Sequence, residues 1–442
     1  MRRSSRLRRN KAWGGFLSAI TQFPDDYENG AAISHILEQL RSEDRDPILV
    51  TGEAGTGKST LVNYIKTRGG IPNTVVLAPT GVAALNVGGQ TIHSFFRLPF
   101  KIIDEAALEG QSKNRLWKKV ELIVIDEVSM VRADILDGID IIMRKAQDSN
   151  LPFGGCKLLL VGDFFQLPPV IPAQEHAVLA QLGYSGPFAY NASVLENYPP
   201  VHFELSKVYR QRDANFVSLL SDLRVARNVE EAVASINEIC VGPHRAGSTP
   251  VLLTSTNAIA ERYNKQGLEG LGAAAVEYDS VMKGRFAANR VPVPEKLALK
   301  KGARVMAVRN DPMKRWVNGS LGTITELTPE EVFVKFDSGG GARKIEAVKW
   351  ESINYKWNDI TQKMEEDATA TFQQIPLILA WAVTIHKAQG LTLDDVRIDL
   401  GRGAFAKGQA YVAVSRARTL AGLSLTTPLR VSDVQPRFSQ RG

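Results

Sequence analysis

Short aliphatic runs recur through the first half of the chain, separated by stretches of helix-like periodicity. Ile48-Leu49-Val50, Val75-Val76-Leu77-Ala78, Leu122-Ile123-Val124-Ile125 and Leu158-Leu159-Leu160-Val161 show no polar alternation. Strands that are apolar on both faces belong to a parallel sheet covered by helices on either side. The pattern restarts at His202-Phe203-Glu204-Leu205 and continues through Val251-Leu252-Leu253-Thr254, Leu377-Ile378-Leu379-Ala380 and Val396-Arg397-Ile398. A second α/β domain is therefore expected from about residue 200. Between Ala303 and about Phe372 the texture changes to short β-like runs broken by Asn318-Gly319 and Gly339-Gly340-Gly341, which favour hairpins. The simplest reading is a small β-barrel inserted into the second domain; the alternative is two hairpins without a core of their own. The expected division is a tail at 1–24, a first domain at 25–199, a second at 200–430 with its insertion at about 303–372, and a tail at 431–442.

Composition narrows the class. With 442 residues and 44% hydrophobic content the chain can bury two or three cores. No stretch approaches the roughly 20 apolar residues of a membrane-spanning helix, and Met1-Arg2-Arg3 leads into no apolar signal region, so no membrane partner is expected. Cys156 and Cys240 cannot by themselves supply a four-ligand zinc site, and the six histidines are scattered, which suits a reducing, cytosolic setting. The net charge of +7 suggests an acidic partner, yet Arg2, Arg3, Arg6, Arg8, Arg9 and Lys11 account for six of the seven charges. Three readings of that tail stand side by side: an arm for nucleic acid phosphates, an organellar targeting peptide, or a solvated terminus without a role.

Chemistry enters with Gly52-Glu53-Ala54-Gly55-Thr56-Gly57-Lys58-Ser59, which fits G-x-x-x-x-G-K-[ST] between the strand at 48–50 and a helical stretch at 60–66. Glycines let backbone amides curl around phosphate oxygens, Lys58 sets a cation against the β and γ phosphates, and the Ser59 hydroxyl can ligate Mg²⁺. Asp126-Glu127 follows a buried strand at its carboxyl end, where open α/β sheets bind ligands. Asp126 would hold Mg²⁺ through its water shell and Glu127 would orient and deprotonate the attacking water; the alternative is an acidic cap on Val128-Ser129-Met130. Gln166, in Gly162-Asp163-Phe164-Phe165-Gln166-Leu167-Pro168-Pro169, is a neutral group able to reach a γ-phosphate. Arg210 and Arg416 are the arginines that could lose contact when that phosphate leaves, or else surface ion-pair partners.

Taken together these pieces resemble the Pif-type (petite integration frequency) DNA helicases, in the RecD-like branch of helicase superfamily one. The resemblance rests on the phosphate loop, Ala78-Pro79-Thr80-Gly81-Val82-Ala83-Ala84, Thr91-Ile92-His93-Ser94-Phe95, Ile125-Asp126-Glu127-Val128-Ser129-Met130 and the Gly162–Pro169 run. It continues through Tyr209-Arg210-Gln211, Thr384-Ile385-His386-Lys387-Ala388-Gln389-Gly390 and Tyr411-Val412-Ala413-Val414-Ser415-Arg416-Ala417. Asp134 to Gly155, with Leu136, Asp140, Arg144 and Pro152-Phe153-Gly154-Gly155, looks like the stretch that sets Pif-type enzymes apart.

The resemblance implies an α/β fold of two RecA-like P-loop motor domains, ATP and Mg²⁺ between them, and 5′-to-3′ translocation on single-stranded or forked DNA in replication, repair or recombination, by a monomer. Structured substrates such as G-quadruplexes and DNA–RNA hybrids fall within that expectation. An RNA helicase, a translocase that does not unwind and a non-enzymatic DNA-binding module are the alternatives. The resemblance makes Arg210 and Arg416 arginine fingers and Gln166 the γ-phosphate sensor, extends the nucleotide contacts to Thr60 and Gly390, and assigns Thr80, Gly81, His93, Ser94, Phe95, Thr384, His386 and Lys387 to the DNA groove. It also places a small separation element at about 96–117, where Phe100 lies. Relatives carry an adenine-reading glutamine shortly before the loop, whereas Gln39 and Gln22 lie 13 and 30 residues ahead of Gly52. Lacking the long amino-terminal region of eukaryotic members, the chain reads as a compact bacterial or viral form, cytoplasmic and nucleoid-associated; a eukaryotic source would make it mitochondrial or nuclear.

Overall fold

All four aliphatic runs of the first half become strands of one sheet. The structure, a computed structural model, describes residues 29–434 except 109–113, 212, 243–248, 285–290, 314, 359, 362 and 405. The basic tail and Gln22, part of the expected separation element and residues 435–442 lie outside the described residues.

The chain enters through α1 (Gly30–Arg41), β1 (Ile48–Gly52), α2 (Lys58–Arg68), β2 (Thr74–Ala78), α3 (Gly81–Asn86), β3 (Gln90–Thr91) and α4 (Ile92–Phe95). The first domain continues with β4 (Leu122–Ile125), α5 (Ala133–Gln147), β5 (Lys157–Gly162), α6 (Ala173–Gln181), α7 (Ser193–Asn197) and β6 (Val201–Leu205). Its six strands lie in the order β3-β2-β4-β5-β1-β6, every neighbouring pair parallel. Alternate side chains serve opposite faces: Val76, Val124 and Val161 join Ile36 of α1 and Leu61 of α2, while Leu77, Ile125 and Leu160 join Leu136 and Ile139 of α5. The strand order places the carboxyl ends of β4, β5 and β1 side by side. The loop after Gly52, the pair Asp126-Glu127 and the Asp163–Gln166 turn therefore emerge on one edge.

Two sequence expectations are corrected here. His202–Leu205 does not open a second sheet; it pairs in parallel with β1 and closes the first, so the first domain ends after Leu205 rather than near residue 200. The residue pattern of a short run shows that it is a strand without saying which sheet it joins. Residues 96–117 were expected as a separate small element, but Phe96, Leu98, Ile103, Leu108 and Trp117 pack into the same core as α5.

The stretch from Asp134 to Gly155 folds into α5 and a locked turn. Ile135, Leu136, Ile139, Ile142 and Met143 give α5 its buried stripe. Asp140 then accepts from the Phe153 amide at 2.6 Å and from Arg144 Nε at 2.7 Å, pinning Phe153, fully buried with φ 52°, against the helix.

The second domain follows as α8 (Ala214–Val225), α9 (Val229–Cys240), β7 (Val251–Thr254) and α10 (Asn257–Glu269). An insertion then runs through β8 (Val276–Asp279), β9 (Val281–Lys283), β10 (Lys296–Leu299), β11 (Arg304–Ala307), β12 (Leu321–Leu327), β13 (Val332–Phe336), β14 (Arg343–Ile345), β15 (Val348–Asn358), β16 (Lys363–Gln374) and β17 (Leu377–Leu379). The domain ends with β18 (Ala382–Thr384), β19 (Val396–Asp399), α11 (Gln409–Val414) and β20 (Leu423–Leu425). Strands β18-β7-β19-β20 form its parallel sheet.

The insertion holds a five-stranded antiparallel sheet, β14-β13-β12-β11-β17. Leu297, Val305, Ile324, Val334 and Leu377 give it a core of its own, which removes the coreless-hairpin alternative. Leu377–Leu379, read from the sequence as a strand of the second α/β sheet, pairs instead with β11, so the insertion spans Val276 to Leu379 rather than 303–372. The long hairpin β15–β16 reaches back to the first domain. There the Tyr355 hydroxyl accepts from the Val76 amide at 3.2 Å, the Tyr355 ring meets Phe95 edge-on, and Glu366 pairs with Lys66 at 2.9 Å. Among the described residues no helix is long and apolar enough to cross a membrane.

Candidate functional site

The phosphate loop depends on glycines for space as well as flexibility. A Cβ on Gly52 would lie 2.6 Å from the Leu205 carbonyl and 2.7 Å from Thr56 Oγ1. Gly55 has φ +86°, and a Cβ there would fall 2.4 Å from Arg210 Cβ. Lys58 opens α2 and folds over the loop, its Nζ donating to the Gly52 and Glu53 carbonyls at 2.8 Å each. Burial pulls its pKa down, opposed by Asp163, Glu127 and Asp126. Ser59 and Thr60 stand exposed on the first turn of α2.

Asp126 is buried, and desolvation with Glu127 beside it lifts its pKa to about 7. Glu127 is raised too, chiefly by burial, against the pull of Lys58 and Arg416. Its backbone sits in the left-handed region at φ 53°, a conformation that a non-glycine residue keeps only when its surroundings hold it. The Glu127 side chain makes no capping bond to the turn at 128–130, whereas Asp126 Oδ1 accepts from the Glu127 amide at 2.9 Å. From β5, Gln166 Nε2 donates to Asp163 Oδ2 at 3.1 Å, and Asp163 Oδ1 accepts from Arg224 Nε of α8 at 3.2 Å.

The two arginines occupy different settings. Arg210 was expected from across the cleft, but it stands on the connector after β6, already pressed against Gly55. Its Nη2 donates to the Gly390 carbonyl at 3.0 Å, while its Nη1 is buried without a hydrogen-bond partner among the described residues. Buried polar groups are nearly always satisfied, so this one marks a place for an acceptor. Arg416 does come from the second domain and is only 1% exposed. Carbonyls of Val412 and Leu391 and the Ser415 hydroxyl hold its guanidinium at 2.8, 3.2 and 2.8 Å. Burial first, and Arg210 second, lower its pKa to about 9, which leaves it charged at neutral pH. Neither arginine is a surface ion-pair partner.

The residues read as DNA contacts divide. Thr80 caps α3, its hydroxyl accepting from the Ala83 amide at 3.2 Å, with Gly81 as the first helical residue. Ser94 Oγ accepts from Gln90, and His93 stacks on Phe100 with ring centroids 4.8 Å apart. Phe95 is corrected: only 4% exposed, its ring packs edge-on against Phe96 and Tyr355 and offers no face to a base. Phe100, by contrast, is 82% exposed. In the second domain Thr384 is buried and accepts from the Lys387 amide at 3.3 Å, His386 is half-buried with its pKa lowered by desolvation, and Lys387 is exposed.

Four participants escaped the sequence reading. Asn29 ties the loop to the connector, donating to the Thr56 carbonyl and accepting from the Lys207 amide. The Tyr411 hydroxyl of α11 accepts from the Ala54 amide at 3.1 Å. Arg224 lies 3.9 Å from Glu53 as well as against Asp163, and Gln389 donates to Glu127 at 3.0 Å. Tyr411 and Gln389 lie inside motifs whose spacing was legible, but the atoms they touch were not; Asn29 and Arg224 carried no local signal.

A family model described as PIF1-like helicase matches residues 26–232. ATP-dependent DNA helicase Pif1 of Bdellovibrio bacteriovorus is 34% identical over 88% of this chain and 85% of its own length. The chain spans 58 to 62% of the eukaryotic relatives it matches. Among solved structures, a Bacteroides sp. Pif1 in complex with ADP-AlF4 is 35% identical with a TM-score of 0.84, covering 92% of this chain and 94% of that one. The Bacteroides Pif1 bound to single-stranded DNA has the same identity and coverage with a TM-score of 0.65.

Proposed function

The chain belongs to the PIF1-like helicase family, and from that premise we propose that it spends ATP to move 5′-to-3′ along single-stranded DNA and to open forked or structured duplexes. It is an ATP-dependent DNA helicase; direction and substrate are the finer part of the reading. The observation that carries it is the meeting of Lys58, Asp126 and Glu127 of the first domain with Arg210 on the connector and Arg416 of the second. Arg210, with an unpartnered buried N–H, packs on a phosphate loop whose lysine now rests on its own carbonyls, and Arg416 lies close enough to Glu127 to favour its charged form.

ATP phosphates would take Lys58 Nζ from the Gly52 and Glu53 carbonyls and supply the acceptor that Arg210 Nη1 lacks. Ser59 and Asp126 would provide hard oxygen donors that suit Mg²⁺, which would offset charge on the phosphates. Glu127 orients the attacking water and accepts its proton. Gln166, held by Asp163, reports on the γ-phosphate, and Arg416 stabilises charge as that phosphate departs. Thr80, Gly81, His93 and Ser94 in one domain, and His386 and Lys387 in the other, hold the strand while the cleft closes and reopens, with buried Thr384 bracing the turn that carries Lys387. The proposed working unit is a monomer, and the proposed setting is the nucleoid, or the equivalent DNA compartment of a eukaryotic cell.

ATP hydrolysis measured with single-stranded DNA, with RNA and without nucleic acid tests the reading. Stimulation by DNA is expected; stimulation by RNA alone points to an RNA helicase, and absence of hydrolysis points to a non-enzymatic module.

A further inference from the structure

One short segment of the second domain, residues 385–391, touches three separate parts of the phosphate site. The Leu391 carbonyl accepts from Arg416 Nη1 at 3.2 Å, the Gly390 carbonyl accepts from Arg210 Nη2 at 3.0 Å, and Gln389 Nε2 donates to Glu127 Oε2 at 3.0 Å. The same amide nitrogen lies 3.5 Å from Gln166 Oε1. The segment carries His386 and Lys387, two of the residues assigned to the DNA strand above, and starts beside buried Thr384, whose hydroxyl accepts from the Lys387 amide.

Its turns are hydrogen-bonded in series. The Ala388 amide donates to the Thr384 carbonyl at 3.0 Å, Gln389 to His386 at 3.2 Å and Leu391 to Ala388 at 3.0 Å. A segment tied this closely shifts as a unit. Lys387 and Gln389 are two residues apart, at most about 7 Å of extended chain, so a pull on one displaces the other.

We propose that Gln389 is a positioning residue that restrains Glu127 until single-stranded DNA engages His386 and Lys387. The inference rests on the ATPase reading above and adds the device by which the strand switches hydrolysis on. A carboxylate oxygen that already accepts an N–H is poorly placed to take a proton from water, and the bond also fixes the Glu127 side chain in its present direction. Gln389 is neutral, so it restrains without replacing the carboxylate's charge. When the strand draws the segment away, Glu127 is freed, and the carbonyl of Gly390 releases Arg210 toward the phosphate.

The test is steady-state ATP hydrolysis, with and without saturating oligo-dT, for the wild type, Gln389→Met and Gln389→Ala. Methionine keeps the side-chain volume and removes the donor; alanine removes both. Thermal midpoints and oligo-dT affinity establish that each variant is folded. Both variants are expected to raise the DNA-free kcat about tenfold, equivalent to about 1.4 kcal/mol of barrier, while the DNA-saturated kcat stays within about twofold and KM for ATP is unchanged. The stimulation ratio then falls about tenfold. A purely structural role would lower both rates together, or raise KM, and either result overturns the proposal. So does an unchanged ratio in a folded variant. A wild type that hydrolyses no ATP with oligo-dT overturns the functional reading itself, and this inference with it.

Discussion

Lys58 shows how one side chain reads differently in sequence and in space. The motif assigns it to the β and γ phosphates, and the structure finds it on the loop's own carbonyls, so the nucleotide must compete for it. Lys58→Ala is expected to abolish ATP hydrolysis and unwinding while salt-sensitive DNA binding persists, since the proposed strand contacts lie on other elements. Comparable hydrolysis rates in the variant and the wild type, in a phosphate-release assay, would remove the site. Arg416→Ala should retain nucleotide binding, read by fluorescent-nucleotide titration, and lose hydrolysis; a loss of affinity alone would reduce Arg416 to an anchor. Asp140 belongs to stability rather than chemistry. Asp140→Ala leaves the buried Phe153 amide without its acceptor and should cost about 1–3 kcal/mol in chemical denaturation. Residue types and spacing were enough to find the motif residues. They could not show that Phe95 turns inward, that Arg210 is packed against Gly55, or that Asn29 and Arg224 take part, because each depends on which distant backbone comes to lie beside it.

At the level of elements, aliphatic runs announced the strands well, because central parallel strands are buried on both faces and tolerate no polar position. Their sheet membership was illegible, and both misplaced strands, β6 and β17, show why: a strand of three to five residues carries no record of its neighbour. The β15–β16 hairpin is the element whose role emerged only in three dimensions. Anchored in the second domain's insertion, it lodges Tyr355 in the core of the first and bonds to β2, the strand that ends at Thr80. Tyr355→Phe removes the acceptor for the Val76 amide at a cost of about 1–3 kcal/mol at that contact. Faster hydrogen exchange in both the hairpin and β2 is the expected readout, and unchanged exchange in β2 would show that the hairpin merely rests on the first domain.

Across the whole molecule, charge proved a weaker guide than arrangement. Six of the seven net charges lie within the first 11 residues, while the groups proposed for catalysis are gathered where segments of the two domains touch. A fold and a phosphate loop alone are shared by many functions. What separates a motor from a nucleotide-binding scaffold is that Tyr411, Arg224, Gln389 and Arg416 of the second domain reach groups of the first, so that a change at the phosphates is felt by both. The proposed consequence is directed movement on a strand, and polarity is where that proposal is most exposed. Forked DNA carrying either a 5′ or a 3′ single-stranded tail, incubated with ATP and the wild type or Lys58→Ala, measures it directly. The account predicts strand separation from the 5′ tail by the wild type alone; separation from the 3′ tail alone, or by Lys58→Ala, would contradict it.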